Sequence, residues 1–226
     1  MKLAKRMFAI SLLVTLSLSM VACAEVNVLG VSTPTTPLAV SDGSTVSDFE
    51  TPVAYRNDYF GYQCVLPDDW YVLNREEINQ ALGITSEALG EGEAADIIMN
   101  SFESGATYID FYALSGDNSQ TINIILEKAK PLILVASEED IIDSSTPLML
   151  SGLMDMGVTN IEHNTEKVEF LGKERIALHV QGDYQGVSVF QTMFVIVEGR
   201  YISNIAVNGN SQDAMQECLQ YFQPIE

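Results

Sequence analysis

The stretch Thr159–Asn208, TNIEHNTEKVEFLGKERIALHVQGDYQGVSVFQTMFVIVEGRYISNIAVN, decides the fold. Four runs alternate β-branched or aromatic residues with polar ones, and between them lie Gly172-Lys173, Gln185-Gly186 and Glu198-Gly199. Each break puts a glycine where a hairpin needs positive φ, so the pattern predicts a four-strand antiparallel meander. Pairing Tyr184 with Val187 and Val197 with Arg200 sets Ile176 and Leu178 opposite Val195 and Met193, with Ile202 on the same face. The other face carries Ala177, Phe190, Phe194, Ile196, Tyr201, Ile205 and Val207. Both faces are apolar, so both need a cover. For the first hairpin, a two-residue turn would set Ile176 against Glu169. One extra residue around Gly172 sets Ile176 against Phe170 and Leu178 against Val168, and matching apolar with apolar selects that second register.

Working toward the N-terminus, Ser137 is the cap of a helix whose first turn holds Glu138, Glu139 and Asp140. Pro147 is expected to interrupt it, with Thr146 capping a restart in which Leu148, Met149, Leu150, Leu153, Met154 and Met156 face inward until Gly157. Two strands, Thr107–Leu114 and Thr121–Glu127, are joined by the loop Ser115-Gly116-Asp117-Asn118-Ser119. A helical stretch from about Ser86 to Asn100 carries Ala94, Ala95, Ile97, Ile98 and Met99 on its buried side. Before it, Asn74 and Glu77 form a capping box opening a helix to about Leu82. Tyr59–Leu66 reads as a strand, Pro67-Asp68-Asp69 as a turn, and Trp70–Leu73 as a second short strand. Beyond the meander, Ser211–Phe222 forms an amphipathic helix with Ala214, Met215, Cys218, Leu219 and Phe222 on one stripe. No parallel crossover is demanded. The expected fold is therefore α+β: a mostly antiparallel sheet, built from the C-terminal meander and N-terminal hairpins, with helices on both faces.

Lys2, Lys5 and Arg6 precede an apolar run, Met7 to Val21, that ends in Met20-Val21-Ala22-Cys23. Residues 1–23 thus read as an export signal closing on a lipobox whose Cys23 takes the lipid; an ordinary A-x-A cleavage after Ala24 is the other reading. Residues 24–54 are rich in Ser, Thr, Pro, Val and Asp and read as a disordered tether with a span of about 30 Å. Residues 55–226 form one domain. The expected location is the outer face of a bacterial cell membrane, with the lipid as anchor. The formal charge is −20, and loss of Lys2, Lys5 and Arg6 with the leader takes it to −23. So acidic a surface excludes nucleic acid as a partner, having no basic stripe to meet phosphates. An envelope protein or a glycan remains.

Phe60-Gly61, Leu66-Pro67 and Trp70, in the spacing F-G-x₄-L-P-x-x-W, together with a glycine-turned meander and a closing helix, resemble the PsbP-like fold family. That family includes many small bacterial lipoproteins, the photosystem II extrinsic subunit and a eukaryotic Ran-binding protein. The resemblance runs from about Tyr55 to Phe222 and implies a PsbP-like sandwich. It implies no ligand site, because the members bind unrelated things.

Candidate chemistry is sparse. The chain holds two histidines, His163 and His179, and lacks H-E-x-x-H, C-x-x-C and G-x-S-x-G patterns, so neither a metal nor a cofactor is expected. His179 falls opposite Thr192, where a hydrogen-bonded, partly buried histidine outweighs a catalytic base. In the selected register His163 faces Asp183, a cross-strand polar pair that could also orient a general base. Asp117-Asn118-Ser119 offers oxygens but too few for calcium. Glu87, Glu91, Glu93 and Asp96 fit a solvated helix face. Tyr55, Tyr59, Tyr62, Trp70 and Tyr71 are dense enough for a carbohydrate or peptide platform, with Tyr55, Tyr59 and Tyr71 its candidate contacts. Cys64 and Cys218 are expected as two core thiols, a disulfide being the alternative. The function these residues favour is a noncatalytic tethered binding or accessory domain; the alternative is an extracytoplasmic hydrolase using a His/acid pair.

Overall fold

The computed structural model describes residues 53–80, 82, 100–129 and 136–225. The expected signal, Cys23 and most of the tether lie outside these residues, as do the stretch 86–99 and its four acidic residues. The meander forms β6 (Thr159–Phe170), β7 (Lys173–Tyr184), β8 (Val187–Glu198) and β9 (Tyr201–Gly209). Its turns decide the register. Leu171 and Gly172 have φ of 56° and 71°, and Gln185 and Gly186 have 52° and 81°. Positive φ at both central residues is the two-residue type I′ turn, whose twist matches the strands it joins. The first hairpin therefore closes on Phe170 opposite Lys173, and Ile176 faces Lys167.

That register corrects the expected one. Matching apolar pairs presumed a buried β6, but β6 is an edge strand exposed along most of its length, so its side chains do little to choose the register. The third turn is also one residue later than expected: Glu198 pairs with Tyr201 and Val197 with Ile202. Gly199 takes φ 57° there, a region that favours glycine, and a Cβ would also displace the Tyr59 hydroxyl. The face assignments survive. Leu178 lies opposite Met193 and Ala177 opposite Phe194.

Upstream, β4 (Thr107–Leu114) and β5 (Gln120–Lys128) form the expected hairpin, and β5 pairs with β9 along its whole length. With β3 (Tyr71–Val72) this completes a seven-stranded sheet in the order β3-β4-β5-β9-β8-β7-β6, antiparallel at every pairing. A second sheet contains β1 (Val53–Asn57), β2 (Tyr62–Val65) and β10 (Phe222–Pro224) in the order β1-β2-β10. The expected strand from Tyr59 begins only at Tyr62. Asn57 caps the preceding turn, its Oδ1 accepting from the amides of Tyr59 and Phe60, both at 3.1 Å.

Each face of the large sheet has its own cover. On one side α1 (Glu138–Asp155) packs Ile141, Ile142, Met149 and Leu153 against Leu178, Val180, Met193 and Val195. On the other, the small sheet and α2 (Gln212–Leu219) bury Tyr62, Cys64, Phe222, Met215 and Cys218 against Phe111, Ile124, Phe194 and Ile205. Phe170 stacks on Phe194 within this second core, with ring centroids 4.0 Å apart. Phe222, expected on the closing helix, instead opens β10 and pairs with Cys64. Its burial needs a strand to complete the small sheet rather than another helical turn.

Helix α1 begins on the expected Ser137 cap, with Asp140 reciprocating in a capping box. It does not stop at Pro147. The proline deprives Asp143 O of its backbone donor, while the three hydroxyls before it bond carbonyls of the preceding turn: Ser144 Oγ donates to Asp140 O at 2.6 Å, Thr146 Oγ1 to Ile142 O at 2.7 Å, and Ser145 Oγ to Ile141 O. Thr146 thus lies inside one continuous helix, its hydroxyl donating backward instead of capping a second. Met154, expected to pack inward, is 60% exposed. Because proline in a helix interior costs about 3 kcal/mol, Pro147→Ala should raise the melting temperature by several degrees. A lower melting temperature would contradict that cost and show that the proline ring stabilises the helix at this position.

Candidate functional site

A concavity of about 390 Å³ opens on the β6-β7-β8 end of the large sheet, beside the start of α2. Its lining includes Glu162, Glu166, His179, Gln181, Phe190 and Met215, and both histidines border it. Strand alternation assembles the set. Glu162 pairs with Gln181, Asn164 with His179 and Glu166 with Ala177, so these side chains share the face on which α2 packs. His163 pairs with Val180, a residue of the α1 core, and so lies on the opposite face. The expected His163–Asp183 pair is absent. Asp183 instead accepts from Asn160 Nδ2 at 2.8 Å and Ser188 Oγ at 2.9 Å, which hold its carboxyl below the ordinary carboxylate range.

His179 meets its expected partner: Nδ1 and Thr192 Oγ1 share a hydrogen bond of 2.7 Å. Thr192 Oγ1 also lies against Met215 Sδ, which ties the imidazole to α2. On the ring's far side, Nε2 is 3.0 Å from Glu166 Oε1, an ion-pair distance at which the N–H is not aligned for a hydrogen bond. Gln181 Nε2 donates to Glu162 Oε2 at 2.6 Å. Hydroxyl, imidazole and carboxylate thus stand in a row, the order of a hydrolytic triad. The exposure is reversed, however. Thr192 is fully buried, whereas Glu166 is the solvent-exposed member. A nucleophile must reach substrate, and this hydroxyl reaches only His179 and Met215.

Apolar matching does not bring Glu166 near His179, because it sets the first hairpin three positions out of register. The signal was present in Leu171-Gly172, a two-residue I′ turn in which a non-glycine residue takes positive φ.

The tyrosines do not form one platform. Tyr59 donates to Glu198 O at 3.0 Å and packs edge-on against Tyr201, at the β8–β9 turn. Tyr71 pairs with Leu114, which aligns through Thr121 with Asn208 at the other end of β9. Seven residues of strand, about 23 Å, separate the two ends. Tyr62 is buried with its hydroxyl 2.7 Å from Ser203 Oγ, and Tyr55 turns inward to donate to Asp110 Oδ2 at 2.5 Å. Both ends of that last bond sit at sheet irregularities. β1 shifts register between Val53 and Tyr55, and β4 shifts between Ile109 and Phe111, leaving Asp110 as the extra residue that a bulge aims out of the ladder. The bond joins the two sheets.

Burial raises the Asp110 carboxyl above its ordinary value, an effect opposed by the Tyr55 hydrogen bond and the nearby Arg75. Burial pushes the Tyr55 phenol far above its own. Asp117 is spent within its turn, accepting from Ser115 Oγ at 2.7 Å and Ser119 N at 2.9 Å. Among the described residues no group of three His, Cys, Asp or Glu side chains is placed to hold a metal. Cys64 and Cys218 are free, buried thiols in one core, and burial raises both, Cys218 to about 12. No helix among the described residues is long and apolar enough to cross a membrane.

No family model and no curated protein matches the chain. Among solved structures it is similar to cyanobacterial PsbP, CyanoP, from Synechocystis sp. PCC 6803, with 11% identity over 75% of this chain and 90% of that one and a TM-score of 0.45. It is also similar to LpqN, involved in cell envelope biogenesis in Mycobacterium tuberculosis, with 14% identity over 73% and 83% of the two chains and a TM-score of 0.41. The likeness is a weak one, of fold alone, and PsbP-like in kind. The residues of the F-G-x₄-L-P-x-x-W spacing serve that fold: Gly61 takes φ 71° before β2, Leu66 is buried, Pro67 O accepts from Trp70 N at 3.1 Å, and Trp70 packs edge-on against Tyr221.

Two outcomes test the site as described. Thr192→Val should cost about 1–3 kcal/mol of stability, because it leaves a part-buried imidazole nitrogen unpaired. Glu166→Gln should cost under about 1 kcal/mol, since that carboxylate is exposed. Equal losses in denaturant titration would contradict the assignment. For Asp110 the sign follows from its raised folded pKa: the group favours the folded state most below its unfolded pKa and loses that contribution as pH rises through the folded pKa. Asp110→Asn should therefore gain on the parent protein in melting temperature between pH 4 and pH 7. A parent that gains on the variant over that range would contradict it.

Proposed function

We propose that this chain is an exported, membrane-tethered domain that binds or assists a partner and catalyses nothing itself. The observation carrying this reading is the inverted exposure of the Thr192–His179–Glu166 row. The group that would attack is fully buried, while the carboxylate that would sit behind the histidine faces solvent. In its place the concavity offers Glu162, Glu166 and Gln181 to a ligand, with Phe190 and Met215 as its apolar floor. The positively charged and apolar leader, the Ala22-Cys23 junction and the Ser/Thr/Pro segment after it support an anchor at Cys23 on the outer face of a bacterial cell membrane. The acidic balance of the chain disfavours nucleic acid and anionic lipid as ligands and leaves an envelope protein or glycan.

The alternative, a hydrolase built on a His/acid pair, has one observation in its favour, the 3.0 Å approach of His179 to Glu166. Both readings are tested in the producing cell. The parent protein should partition with membranes, and mass spectrometry should find diacylglycerol on Cys23. Cys23→Ser should release it. Against chromogenic esters and glycosides, purified parent and His179→Ala should be equally inert. Turnover that His179→Ala abolishes would overturn the noncatalytic reading, and a soluble mature chain beginning at Glu25 would overturn the anchor.

A further inference from the structure

Strand β6 is the long free margin of the large sheet. At the opposite margin β3 is two residues long, whereas β6 runs for twelve, and no described strand lies on its outer side. Alternate backbone N–H and C=O groups along such an edge point away from the sheet and are satisfied by water or by another strand. The side chains beside that edge are unevenly charged. On the α2 face stand Glu162, Asn164 and Glu166, two carboxylates four residues apart with an amide between them. Opposite them across β7 lie Gln181, His179 and Ala177, and all of these but Ala177 border the concavity of about 390 Å³. On the α1 face the one cation of β6, Lys167, is already engaged at 3.1 Å by Glu174. The exposed margin is thus acidic on the side that has an adjoining hollow.

We propose that β6 is a docking edge for an extended, basic polypeptide segment, which adds a strand to the sheet and places alternate Lys or Arg side chains against Glu162 and Glu166 in the concavity. The inference rests on the binding-domain reading and names the partner's chemistry. In a paired strand, residues on the same face as Glu162 and Glu166 recur every second position, with Cβ atoms about 4.5–5.5 Å away. A partner therefore needs cations spaced by an even number of residues, while its main chain supplies affinity and register.

A second copy of this chain is a poor occupant. Antiparallel pairing of β6 with itself about a two-fold axis keeps both acidic faces on the same side of the sheet. In the register centred on Asn164, Glu162 of each copy then faces Glu166 of the other, a like-charge opposition that destabilises a strand pair. The overall charge of −20 adds long-range repulsion between copies and attraction for a cationic segment.

The test uses the full mature protein and three short acetylated peptides. In the first, lysine alternates with valine. The second has the same sequence with alternate backbone amides methylated, and in the third glutamate replaces lysine. The proposal expects the first peptide to bind at low salt, to slow hydrogen exchange at alternate amides of β6, and to weaken as salt rises. The double variant Glu162→Gln/Glu166→Gln should bind it about tenfold more weakly, and the methylated and glutamate peptides should not bind. Binding of the methylated peptide as tight as the first, or binding without new protection in β6, would overturn strand addition while leaving a binding surface in place. No binding of the first peptide at low salt would overturn the proposal outright. Protection of β6 that grows with protein concentration alone would overturn it in favour of self-association, and protection already present in the peptide-free, dilute protein would overturn it by showing the edge already covered.

Discussion

A sheet that is apolar on both sides cannot stand in water, and most of the architecture answers that constraint. Leu178, Met193 and Val195 on one face and Ala177, Phe194 and Ile205 on the other are all buried, although they alternate along the same strands. At about 25 cal/mol per Å² of apolar surface withdrawn from water, neither face can be left open. Helix α1 closes the first. The second takes a composite cover, because a single eight-residue α2 is too short to span it, and β1, β2 and β10 supply the remainder. The Tyr55–Asp110 bond and the Arg75 guanidinium, which donates to Ile109 O at 2.7 Å, fasten the margin where this second cover meets β4.

Much of this was legible in the sequence. The two faces of the meander, the β4–β5 hairpin, the Ser137 cap, the Asn74 cap, whose Oδ1 accepts from Glu77 N while Glu77 Oε2 accepts from Asn74 N, and the Thr192 partner of His179 all follow from local patterns, since alternation and capping act over a few residues. What failed depended on context. Register in the first hairpin was judged by side-chain matching, a sound guide for buried strands that loses its force on an exposed edge. Helix α1 runs through Pro147 because Ile141 and Ile142 before it and Met149 and Leu153 after it pack on the same sheet face, and residues next to the proline cannot announce that. Phe222 kept its apolar role but changed element, because its partner Cys64 lies more than 150 positions away in sequence. Strand β1 went unread for the same kind of reason: Val53–Asn57 is too short and too polar to signal a strand without β2 beside it.

The site shows why residue type alone is a poor guide to chemistry. Both histidines border one concavity, and a hydroxyl and a carboxylate flank one of them. Accessibility then separates a structural row from a catalytic one. Thr192 serves as the link between sheet and α2, His179 fills the space above it, and the polar groups left for a ligand are those of β6 and β7. The same turn geometry that defeated the expected His163–Asp183 pair is what brings Glu166 beside His179 and lines Glu162, Asn164 and Glu166 along the sheet's margin.

The claim on which the rest depends is that the large sheet is covered twice, by different elements. Nuclear Overhauser contacts measure that directly in the mature protein. The account requires two sets at once: Met149 and Leu153 methyl protons to Leu178 and Met193, and Phe222 and Met215 side-chain protons to residues of the opposite face, including Phe170 and Phe194. Loss of either set in the folded protein, with the corresponding sheet face in contact with solvent or with a second molecule, would contradict it.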